Sequence, residues 1–200
     1  MENKNRTAGL EISVRPTPGL GQFTLGMDDL RRFALEESFH IGEDDAALNS
    51  FPLPLRNPEG FPASPIRTGD GFRYERALSP FSDTEQRSEC LDFSRSGQIT
   101  LSHVRKLTGP DRSSLMSIDL CSYLVWFHYY VSRAYIRLGY AQSVDYRVRR
   151  WDANGNSVAV EVPLVPLENV GSAPGYEGPE GAKLAEAVLA EIAAKELCRH

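Results

Sequence analysis

Apolar and polar side chains alternate over Leu10-Glu11-Ile12-Ser13-Val14-Arg15, the period-two pattern of a half-buried strand, and Pro16 and Pro18 end it. A helical period follows from Met27 to about Phe39. Leu30, Phe33 and Ala34 share one face there, and Asp28 and Asp29 lie in the first turn, where the helix dipole favours anions. Together these predict an amino-terminal strand–helix unit. Residues 40–71 break both periods with prolines at 52, 54, 58, 62 and 65, so a long extended surface loop is expected before a strand at Phe72–Leu78.

Register decides the next two hairpins. In Cys90–Val104 a two-residue turn at Ser96-Gly97 would set Phe93 against Thr100 and split the apolar residues between faces. A three-residue loop, Arg95 to Gly97, pairs Phe93 with Ile99 and Leu91 with Leu101, and it puts a glycine in the left-handed slot of that loop. The same test on Val144–Trp151 and Asn156–Leu164 selects the loop Ala153 to Gly155. It aligns Val148 with Val160, Tyr146 with Val162 and Val144 with Leu164, and faces Arg147 with Glu161 on the outer side.

Between the hairpins runs the strongest helical pattern. From Ser117 or Ile118 to Leu138, apolar residues recur at Leu120, Leu124, Phe127, Val131, Ala134 or Tyr135, and Leu138, and Gly139 supplies a stop. A second stripe of Tyr123, Trp126 and Tyr130 widens the apolar face, as in a helix covered on more than one side. Residues 166–181 read as a linker. An alanine-rich amphipathic helix follows at 182–197, with Leu184, Val188 and Ile192 on one face and a Glu191–Lys195 pair on another. The expected fold is α+β. A mostly antiparallel sheet with two three-residue-loop hairpins packs on one long helix in a domain spanning 1–165, and the segment 182–200 carries the terminal helix.

Composition narrows the function classes. Hydrophobic residues at 41% are enough to build a core, and three scattered cysteines make neither a disulfide framework nor a Cys-x-x-Cys metal knuckle. The longest apolar stretch, Leu120 to Val131, contains Ser122 and His128 and is too short to span a bilayer. The opening residues lack the apolar core of a secretory signal, so a cytoplasmic setting is expected. Net charge is -5, but residues 101–150 carry eight basic and three acidic side chains, +5, whereas 151–200 carry three and eight, -5. A basic, aromatic middle segment invites an anion-binding or partner-binding face.

Two stretches, Phe93-Ser94-Arg95-Ser96-Gly97-Gln98-Ile99 and Arg133-Ala134-Tyr135-Ile136-Arg137-Leu138-Gly139-Tyr140, resemble the region that follows the nucleic-acid-binding domain in Schlafen/AlbA-like bacterial proteins. The resemblance covers residues 70–160. It implies an accessory module and transfers no functional residue.

Candidate chemistry is sparse. Glu89 and His103 face each other at the open end of the first hairpin, a carboxylate placed to orient an imidazole for acid–base work. His40-Ile41-Gly42-Glu43-Asp44-Asp45 has neither the histidine spacing of a zinc hydrolase nor the periodicity of a calcium loop, so no metal or cofactor is expected. Gly19, Gly21 and Gly26 fit no phosphate-binding spacing, and Asp28 and Asp29 would repel phosphate. Tyr123, Trp126, Tyr130, Arg133 and Arg137 share one side of the long helix, suited to stacking and phosphate contact or to a protein partner.

The expected function is therefore a non-catalytic interaction module that binds a protein or a nucleic acid through this basic, aromatic surface. A small hydrolase or transferase using Glu89 and His103 is the first alternative. A homodimeric scaffold self-associating through the terminal helix is the second.

Overall fold

The computed structural model describes residues 6–18, 66–78, 85–107, 117–168 and 179–197. The helix expected at 27–39, the glycines at 19–26, the His40–Asp45 cluster and most of the 40–71 loop lie outside the described residues. Seven strands form an antiparallel sheet: β1 Arg6–Pro16, β2 Ile66–Arg67, β3 Gly71–Leu78, β4 Glu85–Ser94, β5 Ile99–Leu107, β6 Val144–Trp151 and β7 Ser157–Val165. Two helices complete the described fold, α1 Ser117–Arg137 and α2 Pro179–Leu197. The sheet order is β2-β3-β4-β5-β1-β6-β7. The α+β class and the two hairpins are as the periodicities predict.

Strand β1 lies between the hairpins, pairing β5 on one side and β6 on the other, antiparallel to both. β5 and β6 therefore run parallel, and α1 connects them across the face of β1. This insertion seals the sheet into one layer, and the side-chain alternation then sorts it into two faces. The inner face carries Leu10, Ile12, Val14, Leu91, Phe93, Ile99, Leu101, Tyr146, Val148 and Val160, which join Leu124, Phe127, Val131 and Tyr135 of α1 in one core.

The first hairpin has the expected register, Phe93 with Ile99, Leu91 with Leu101 and Asp92 with Thr100. Gly97 and Gly155 occupy the left-handed slots with φ of 82° and 88°, a conformation that costs a side chain but not glycine. In the second loop the Asp152 carboxylate accepts the backbone N–H groups of Asn154 and Asn156 at 2.8 and 2.9 Å. The Asn156 side chain, first, and these two amides hold that carboxyl below its ordinary value.

Val148 pairs with Val160, Tyr146 with Val162 and Arg147 with Glu161. One pairing differs. Val144 meets Val165 instead of Leu164, across a bulge. Leu164 takes φ 58° and turns out to 58% exposure, which lets the next residue, Val165, enter the core. The Asp145 carboxylate accepts the displaced Leu164 N–H at 3.1 Å.

α1 ends as Gly139 predicts. The Tyr140 N–H reaches the Tyr135 carbonyl at 2.8 Å and the Gly139 N–H reaches that of Ile136 at 3.1 Å, the paired bonds of a Schellman stop. The Tyr135 and Tyr140 rings, 5.5 Å apart, supply the apolar contact of that motif. Tyr135 also donates its hydroxyl to the Gly97 carbonyl at 2.6 Å, tying the first hairpin tip to the helix.

α2 begins at Pro179, so its first residues come from the segment expected to be linker. Leu184, Ala185, Val188 and Ile192 are buried within the chain, in the same core as α1 and the sheet. The apolar face on which the homodimeric alternative relied is thus used intramolecularly. The Glu191–Lys195 pair forms at 3.3 Å. Lys195 also donates to the Ala159 carbonyl at 2.8 Å, covering an acceptor on the edge strand β7. With Pro163 in the same strand, and only two residues in β2 at the other edge, both edges resist strand addition.

Candidate functional site

α1 places its aromatic residues on two sides, and the expected stripe divides between them. Tyr123 and Tyr130 point into the core at 8% and 1% exposure, so they supply no surface. Phe93 packs edge-on against Tyr130 at 6.4 Å, and Phe127 stacks on it at 6.5 Å. Trp126 and Arg133 lie half-buried on the opposite side, and the side chain of Arg137 is outside the described residues. A residue the sequence reading passed over joins them. Tyr129 is half-buried, and the Arg133 guanidinium sits 5.9 Å from the centre of its ring, a cation–π contact. Its four-residue spacing from Arg133 is the signal that identifies it.

Glu89 and His103 face each other across β4 and β5, as the hairpin register requires. His103 Nδ1 is 3.1 Å from Glu89 Oε1. Tyr123 completes the group from α1, donating its hydroxyl to the same oxygen at 2.7 Å and lying 3.1 Å from His103 Nδ1. A carboxylate on Nδ1 selects the tautomer that leaves Nε2 as the basic nitrogen. Burial works against turnover at this point. Glu89 is 0% and His103 4% exposed, so the triangle is a closed polar pin between sheet and helix. Tyr123, one of the candidate binding aromatics of the long helix, is the third member of this pin.

A second buried polar group was not legible as a site. His128 Nδ1 is 2.8 Å from the Tyr146 hydroxyl, with the imidazole fully enclosed. Nearby, Ser132 Oγ accepts the Glu168 N–H at 3.0 Å, and the Glu168 carboxylate accepts the Gly181 N–H at 2.6 Å in the first turn of α2. Gly181 approaches so closely that a Cβ there would stand 3.3 Å from the Val125 backbone. Burial pushes His128 down to about 4 from 6.5, opposed by the Glu180 carboxylate and the Pro166 main chain. Burial, foremost, also raises Tyr146 well above the ordinary phenol value. The clue in the sequence is a histidine four residues after Leu124, inside the helix's apolar run.

Among the described residues, no group of three or more His, Cys, Asp or Glu side chains is placed to hold a metal ion. Cys90 and Cys121 are free thiols, both half-buried, and Cys198 is outside the described residues. Among the described residues no helix is long and apolar enough to cross a membrane. No family model, curated protein or solved structure matches the chain.

Proposed function

We propose that the chain is a non-catalytic interaction module that docks a protein partner on the solvent side of α1, through Trp126, Tyr129 and Arg133. The supporting observation is the Arg133–Tyr129 stack at 5.9 Å, with Tyr129 one helical turn and Arg133 two turns from a half-buried Trp126. Trp, Tyr and Arg concentrate binding energy at interfaces because each offers a large, stiff contact surface with a polar end. The fitting partner segment places a carboxylate on Arg133 beside an apolar side chain against Trp126.

A protein fits this stripe better than a nucleic acid. Affinity for phosphate backbones grows with the number of counterions released, and among the described side chains of the stripe Arg133 is the one cation. The closed Glu89–His103–Tyr123 triangle supports the non-catalytic part of the reading, since an acid–base pair must reach its substrate. An accessory module is also what the Schlafen/AlbA-like resemblance implies.

The test pairs wild type with the double variant Trp126→Ala/Arg133→Glu in affinity capture, then remeasures the captured protein in purified form. Removing two interfacial anchors worth about 2 kcal/mol each should weaken the purified complex by roughly 1,000-fold. The unfolding midpoint should stay near that of wild type. Capture of RNA or DNA instead, or a purified complex indifferent to both substitutions, would refute the reading.

A further inference from the structure

We draw no further inference here: the strongest candidate, the facing pair Arg87 and Arg105 on β4 and β5 beside the Glu89–His103–Tyr123 triangle, carries nothing because both residues are already engaged within the chain and nothing among the described residues marks a place for an anion between them.

Discussion

Replacing Glu89 by alanine should destabilise the fold by about 3–5 kcal/mol, because it leaves a buried imidazole and a buried phenol facing a void where an acceptor stood. Glu89 Oε1 is the shared acceptor of the triangle, so its loss strands two donors at once. Glu89→Gln keeps an acceptor oxygen and removes the charge, and about 1–2 kcal/mol is expected from it. Glu89→Leu combined with His103→Leu and Tyr123→Phe removes every polar member together. That triple variant should recover part of the loss, since it leaves no member of the triangle itself unsatisfied. Urea unfolding of the three variants measures the series. If Glu89→Ala falls within about 0.5 kcal/mol of wild type, the triangle is not a structural pin and the acid–base reading regains its case.

Acid should weaken the fold over a defined window through His128. Its folded-state value, about 4, lies below the 6.5 of an exposed imidazole. Above pH 6.5 both folded and unfolded chains hold it neutral, and its contribution is complete. As pH falls from 6.5 toward 4, the unfolded chain takes up the proton and the native chain does not, so stability drops by about 1.4 kcal/mol per unit, some 3 kcal/mol in all. Below about 4 both states are protonated and this loss levels off. Glu180 at the start of α2, the Pro166 main chain and the Tyr146 hydroxyl on β6 are the groups that act on this histidine. His128→Gln keeps a side-chain partner for Tyr146 and does not titrate. The variant should begin less stable at neutral pH and lose the slope between 6.5 and 4. A constant gap between the two stability curves across that window would show that His128 is not held neutral.

How much was legible depended on whether the deciding contact was local. The pairings Phe93–Ile99, Leu91–Leu101 and Val148–Val160 follow from alternation plus a glycine at the turn, since slipping either hairpin by one residue would turn its apolar set to solvent. The helix boundary at Gly139 and the facing of Glu89 with His103 follow for the same reason. The bulge at Val144 did not follow, because Leu164 and Val165 are equally apolar. Only the core has room to choose which of them it takes.

The stripe on α1 shows the limit most clearly. Tyr123, Trp126 and Tyr130 look alike on a helical wheel, and nothing within the helix says which of its sides meets a sheet. That assignment came from β1 entering between β5 and β6, which set the inner face under α1, and from α2 occupying one flank beside Gly181. By itself the sequence determined the hairpins, their loops, the long helix with its stop and the α+β class, all written in contacts a few residues apart. Strand order, the burial of Tyr123 beside Glu89 and His103, and the enclosure of His128 were decided only by the tertiary structure. Each depends on residues distant in sequence competing for the same buried volume, and that competition is settled by packing rather than by period.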